Sequence, residues 1–287
     1  MRDAQALRRI AYRFLCTAPV IIFPLASARP LRVPIIHVTG GLLLFSAIAL
    51  STVTLARPTK ASSDASDSLL RLAGALLLTP VALVALFWIG LGTPWDATPA
   101  ENKMRYGVLL AASTGVTGGF VLLRDALRNA GERVYAAVAL AMGTLSGAVY
   151  VVWTAFQLGV FALRVSTGTV SAGVATMNNV FDALLFAGGA LAYVATAALA
   201  RSFAAASWLG RGPAQAYVAL NVVALVLLLL RGVSFPVPGG DPAPWYTRPG
   251  FIVGIPAMPW LMPYFLGVLA LRRAGAAGEH WDSRRGV

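Results

Sequence analysis

The chain has 287 residues, of which 58% are hydrophobic and only 12% are charged, and its mean hydropathy is +0.73. This composition excludes a soluble globular protein, because several apolar runs approach the roughly 20 residues that cross a bilayer as a helix. The formal charge of +12 does not indicate nucleic-acid binding, since most basic residues fall in tails and loops, where they orient membrane helices and meet anionic headgroups. A single cysteine, Cys16, excludes an internal disulfide and dithiol chemistry.

The first hydrophobic segment, residues 10–28, admits two interpretations. As a helix it would be about 28 Å long, enough for a first membrane span, although it contains Arg13, Pro19 and Pro24. Its basic start and the small residues at 26–28 also resemble a signal peptide with its cleavage site, and an interfacial helix is a further alternative.

Seven further segments are predicted to cross the membrane. They are residues 33–56, 72–92, 106–123, 134–163, 180–200, 214–230 and 250–271. If residues 10–28 also cross, 16 of the 23 basic residues lie on the amino-terminal side and 7 on the other, whereas without that span the division is 12 to 11. The positive-inside rule therefore favours eight spans with both termini in the cytoplasm.

The predicted fold is an all-α integral membrane protein of the inner (plasma) membrane. It is a bundle of eight transmembrane helices, or seven if the first segment is cleaved or interfacial. Residues 1–287 form a single multi-pass domain that ends in a short basic cytoplasmic tail at 272–287.

Two connectors on the predicted outer face share a pattern. Residues 94–99 read PWDATP and residues 244–249 read PWYTRP, four spans apart. Because the two copies are separated by an even number of spans, they indicate two parallel four-helix halves. The simpler interpretation is that tryptophan lies at the headgroup level and proline begins a helix.

Polar residues gather on the same face, where they are expected either to converge on a pocket or to form a solvated rim with weak surface pairs. They are Asp96, Glu101, Lys103, Arg105, Arg164, Asn178, Asn179, Asp182, Arg231, Asp241 and Arg248, with His37 just inside span two. Asp182 lies about two residues inside predicted span six, so capping that helix is an alternative role for it.

Three predicted spans carry stripes of small and polar residues at helical spacing, so these faces should point at protein. The stripes are Tyr106, Ser113, Thr114 and Thr117; Gly143, Gly147, Tyr150, Thr154 and Gln157; and Asp182, Gly189, Tyr193 and Thr196. One interpretation is close helix packing through small residues. The other is a cavity lined by Tyr150, Gln157, Tyr193 and Asp182.

The last predicted span contains Pro256, Pro259 and Pro263. Each lacks a backbone donor, so carbonyls one turn upstream lose their partners. A kinked or unwound segment that faces the bundle interior is predicted, because lipid cannot satisfy those carbonyls.

Three functions fit these features. The first is binding or transport of a small or amphiphilic molecule through an outer mouth lined by spans 4, 5, 6 and 8. The second is a non-catalytic subunit that packs on another membrane protein or on a second copy. The third is a cofactor-free enzyme that acts on a lipid or isoprenoid with a carboxyl acid or base, so enzymatic activity stays open.

Membrane lipid is the expected partner, and no nucleic acid is expected. No cofactor or metal is predicted either, because the spans contain no lysine and the two histidines lie on opposite sides. The predicted ligand-binding residues are Asp96, Glu101, Arg105, Tyr150, Gln157, Asp182, Tyr193, Arg231 and Arg248.

Overall fold

The computed structural model describes residues 2–27, 34–57, 65–91, 97–169, 171–232, 252–255 and 257–276, and their regular structure is helical throughout. The α-helices are α1 (Arg2–Ser27), α2 (Pro34–Ala56), α3 (Ala65–Phe87), α4 (Pro99–Asn129), α5 (Val134–Thr167), α6 (Ala172–Ala205), α7 (Arg211–Arg231) and α8 (Leu261–Ala276). Two single 3-10 turns, Ile252–Gly254 and Met258–Trp260, precede α8.

Seven helices, α1 to α7, are long and apolar enough to cross a membrane. The prediction of an all-α, multi-pass membrane protein is therefore confirmed, but the count of eight spans is not reached. The last segment falls short because α8 has only 16 residues, which is about 24 Å of helix. The predicted start of the tail, residue 272, lies inside α8, and residues 277–287 lie outside the described part of the chain.

Helices α3 to α7 pack in chain order, and α8 returns to pack on α3 with α1 and α2 beside it. Consecutive helices are antiparallel, as the hydrogen bonds between α5 and α6 illustrate. Ser146 donates to the Gly188 carbonyl (2.7 Å), and Gln157 donates to Asn178 (2.8 Å), so residue numbers rise on one helix as they fall on the other.

The small residues predicted to face protein do so. An added methyl group at Gly143 would meet the Phe120 ring at 2.8 Å, and one at Gly147 would overlap Thr117. Thr114 is the exception, since it is exposed and donates to the Leu110 carbonyl of its own helix. Packing explains most of these faces because small side chains let the helix backbones approach.

One end of the bundle, the basic end, collects the start of α1, the end of α2, the connectors 130–133 and 206–210, and the end of α8. Arg8 donates to the Leu55 carbonyl at 3.3 Å, and the Arg273 guanidinium lies 5.0 Å from the Trp208 ring centre. The residues 97–98 that precede α4 lie at the opposite end, because α4 crosses the bundle between them and the connector 130–133.

The last segment enters the bundle before it becomes an α-helix. Trp260 is buried against Tyr150, with ring centres 4.4 Å apart, and Tyr150 lies midway along the 34 residues of α5. The 3-10 turns are thus at about half the depth of the bundle, which confirms an unwound segment that faces the interior. Pro259 is buried in the second turn, Pro263 lies in the first turn of α8 where no backbone donor is needed, and Pro256 lies outside the described residues.

Candidate ligand-binding site

A string of polar side chains joins α5 to α6 in the half of the bundle away from the basic end. Gln157, which is 7% exposed, donates to the Asn178 oxygen at 2.8 Å. The Asn178 amide donates in turn to Asp182 at 3.4 Å, which is a long hydrogen bond. Asn178 and Asp182 share a helix face because they are four residues apart. The string leaves the Asp182 carboxylate with most of its accepting capacity unused by these partners.

The position of Asp182 differs from the one expected. Helix α6 begins at Ala172, where the side chain of Ser171 accepts from the Val174 amide at 3.4 Å. Asp182 is therefore about 15 Å along the helix and does not cap it. The apolar run that located predicted span six starts later than the helix, because the first turns of α6 contain polar residues such as Asn178, whose side chain bonds to Gln157 of α5.

Trp153 brings a buried donor to the same place. Its side chain is 4% exposed and packs edge-on against Tyr106, with ring centres 5.3 Å apart. The indole N–H interacts with the Asp182 carboxylate, but the pair does not reach the distance and angle of a hydrogen bond, and no other described residue accepts from this N–H. A buried donor without an acceptor costs about 1–3 kcal/mol. A bound molecule that offered an oxygen here would remove that cost.

Arg231 adds a positive charge at the end of α7. The half-buried guanidinium packs against Gly254 so closely that a methyl group on Gly254 would overlap it. Arg231 and Asp182 are close enough to interact electrostatically, yet the described part of the chain records no ion pair within 4.0 Å between them. The site thus places one acid and one base within electrostatic range of each other.

Two predicted ligand-binding tyrosines hold the last segment in place. The Tyr193 hydroxyl donates to the Val253 carbonyl at 2.9 Å, and Tyr150 packs on Trp260. Tyr217, which the sequence analysis did not single out, donates similarly to the Met262 carbonyl. The contact to Val253 is expected at membrane depth, where a carbonyl outside an α-helix needs a protein donor, whereas the Tyr217 contact ties α7 to the first turn of α8.

The predicted outer connector is a separate structural unit. Glu101 and Thr98 form a capping box at the start of α4: the Thr98 amide donates to Glu101 at 2.6 Å, and the Glu101 amide donates to the Thr98 hydroxyl at 3.3 Å. Arg105 is 3% exposed and donates to Asn102 (2.6 Å) and to the Leu91 carbonyl (2.9 Å). Glu101 and Arg105 therefore stabilise the connection between α3 and α4. The sequence analysis did not predict this cap, although the Thr-x-x-Glu spacing is the pattern typical of one.

The structure divides the predicted site residues into three groups. Gln157, Asp182 and Arg231 lie near one another, Tyr150 and Tyr193 anchor the last segment deeper in the bundle, and Glu101 and Arg105 stabilise the start of α4. Asp96, Arg248, Asp241 and the side chain of Asn179 lie outside the described residues. Within the described ranges, no group of three or more His, Cys, Asp or Glu residues is arranged to hold a metal ion.

No protein-family model matches the chain, and neither a curated protein nor a solved structure matches it significantly. The geometry of the chain's own residues therefore carries the functional assignment.

Proposed function

We propose that the protein binds a small amphiphilic molecule with a zwitterionic or polar headgroup and carries it in the membrane. The observation that carries this proposal is a polar cluster in which buried Trp153 and Gln157 lie with half-buried Asp182 and Arg231. In the described part of the chain, the Trp153 N–H has no hydrogen-bond partner and Asp182 accepts one long hydrogen bond, inside helices that are otherwise apolar. Polar groups at membrane depth are costly and are functional candidates for that reason.

The chemistry of the cluster favours a mixed-charge ligand. The Asp182 carboxylate accepts from an ammonium or hydroxyl group, while the Arg231 guanidinium and the Trp153 N–H donate to phosphate or carbonyl oxygens. An apolar tail has a neighbouring surface in Phe156 and Phe181, whose rings stack with centres 3.7 Å apart.

The 3-10 turns beside the cluster support transport in addition to binding. Discontinuous helices line the substrate sites of many transporters, because their exposed backbone groups contact the cargo and their ends move. Here Gly254 contacts Arg231 directly. A shift of residues 252–254 would therefore move the Arg231 guanidinium relative to the rest of the site.

The proposal includes an orientation. The basic end faces the cytoplasm of an inner (plasma) membrane, the cluster opens towards the outside, and α8 ends an eighth crossing on the cytoplasmic side. Replacing Cys16 by alanine and placing single cysteines at Ala97 or Ala130 tests this. An impermeant thiol reagent should label the cysteine at 97 and not the one at 130 in intact cells, and the reverse pattern contradicts the orientation.

The function is tested by mass spectrometry of molecules that co-purify with the protein in mild detergent. We expect a small amphiphile with the wild type and with Asp125→Asn, and its loss in Asp182→Asn. Asp125 is a suitable control because it is half-exposed and, among the described residues, its recorded ion pair is with its neighbour Arg124. A second protein in stoichiometric amount would instead favour the subunit alternative, and retention of the same molecule by Asp182→Asn would overturn the site.

A further inference from the structure

A cavity of about 340 Å³ lies at the basic end between α1, the last turn of α2 and α8. Four arginines line it, namely Arg8, Arg9, Arg13 and Arg272, together with Tyr12 and Leu55. It lies at the other end of the bundle from the Asp182 cluster, so its role is independent of the function proposed above.

Helical spacing creates this arginine set. Arg8, Arg9, Tyr12 and Arg13 share one face of α1 because they recur at intervals of about four residues. Helix α8 brings Arg272 to the same place, and its guanidinium lies 4.7 Å from the Tyr12 ring centre. Arg8 donates to the Leu55 carbonyl at 3.3 Å, which satisfies one of the open carbonyls at the end of α2.

The positive charge of this cavity is not matched by the protein within the described residues. Among the described residues, the recorded ion pair joins Arg124 to Asp125, away from the cavity. None involves the four arginines. Like charges held together repel one another, and guanidinium groups bind phosphate oxygens in a bidentate manner. A phosphate group is therefore the chemistry that fits.

The surroundings favour a lipid over a soluble anion. Leu7 and Ile10 on α1 are 54% and 64% exposed, and Val53 on α2 is 54% exposed, so apolar side chains flank the arginines. Basic pockets between membrane helices on the cytoplasmic side bind anionic headgroups. We propose that this cavity binds the phosphate headgroup of an anionic phospholipid such as phosphatidylglycerol, whose acyl chains lie along α1 and α2.

A matched pair of double variants tests the proposal. Arg9→Gln/Arg13→Gln removes two exposed arginines from the cavity. Arg201→Gln/Arg211→Gln removes the same charge from a larger cavity of about 680 Å³ at the same end, which has only these two arginines. The full-length proteins are titrated with phosphatidylglycerol or phosphatidylcholine in mixed micelles, and the rise in unfolding temperature reports binding.

Phosphatidylglycerol should stabilise the wild type more than phosphatidylcholine does. The Arg9/Arg13 variant should bind it about 25-fold more weakly, at about fivefold per arginine, while the Arg201/Arg211 variant keeps most of the affinity. Equal loss in both variants would overturn the proposal in favour of general charge attraction. Equal stabilisation of the wild type by inorganic phosphate would overturn it in favour of a free anion. Both side chains are exposed, so the Arg9/Arg13 variant should match the unfolding temperature of the wild type in phosphatidylcholine, which checks folding.

Discussion

Two acids near the α5–α6 pair show how differently the two ends of the bundle use a carboxylate. Glu132, at the basic end, is 7% exposed and accepts from the amides of Tyr135 (2.8 Å) and Ala136 (2.9 Å) and from the Ser202 hydroxyl. Asp182, in the other half, accepts one long hydrogen bond of 3.4 Å from Asn178. The first carboxylate is saturated by the protein and the second is not.

This difference separates a structural acid from a candidate functional acid. Glu132 supplies acceptors to the open amides at the start of α5 and ties them to α6, which fixes two connectors at once. Asp182 gives little to the fold, and its neighbour Trp153 keeps an unused donor. Acids of the first kind should matter for stability, and those of the second kind for binding.

The largest effect on stability is expected at Glu132. Its replacement by alanine leaves the α5 amides and Ser202 without their acceptor and should lower the free energy of unfolding by about 3 kcal/mol. Unfolding of the purified protein in detergent measures this. Asp125→Ala is the control and should change the unfolding free energy by less than about 0.5 kcal/mol. Similar stabilities for the two variants would remove the distinction between the acids.

Two glycines on the last segment extend the comparison. A methyl group at Gly267 would lie 2.7 Å from the Leu77 Cβ and 2.9 Å from the Gly74 carbonyl oxygen, so Gly267→Ala should cost about 2 kcal/mol. The three atoms nearest to a methyl group at Gly254 all belong to the flexible end of Arg231. Gly254→Ala should therefore keep the unfolding temperature and weaken retention of the co-purifying amphiphile. The opposite pattern would place the ligand away from residues 252–254.

A smaller effect is expected at Tyr193. Tyr193→Phe removes the donor to the Val253 carbonyl and should cost about 1 kcal/mol. Hydrogen exchange followed by mass spectrometry should show faster exchange in peptides covering residues 252–260. Tyr135→Phe is the matched control, since in the described structure the Tyr135 hydroxyl makes no hydrogen bond. Unchanged exchange in the Tyr193 variant would mean that other contacts hold the turns.

The smallest effect is expected at Glu101. Glu101→Gln keeps an oxygen for the Thr98 amide, so the capping box should weaken by only about 0.5 kcal/mol. The variant should also retain the amphiphile in full, because this acid belongs to the helix cap. Loss of the amphiphile at unchanged stability would mean that Glu101, and with it the outer connector, belongs to the binding site.

The sequence was sufficient for the features that depend on composition and spacing. Apolar length predicted the membrane class, the spacing of Gly143 and Gly147 predicted a buried face, and three prolines predicted the unwound segment. Pairings between distant residues were out of reach. The sequence analysis did not single out Glu132, whose partner Ser202 lies 70 positions away. Asp182 was placed near a helix end because the polar start of α6 hid the true beginning of that helix.

The central claim is that a ligand joins the unused donor of Trp153 to the unused acceptor capacity of Asp182. A crystal structure of the protein purified in mild detergent tests this most directly. We expect non-protein density within hydrogen-bond distance, about 3 Å, of both the Trp153 indole nitrogen and the Asp182 carboxylate, with an apolar tail near Phe156 and Phe181. A direct hydrogen bond from Trp153 to Asp182, with no bound group between Gln157 and Arg231, would contradict the account.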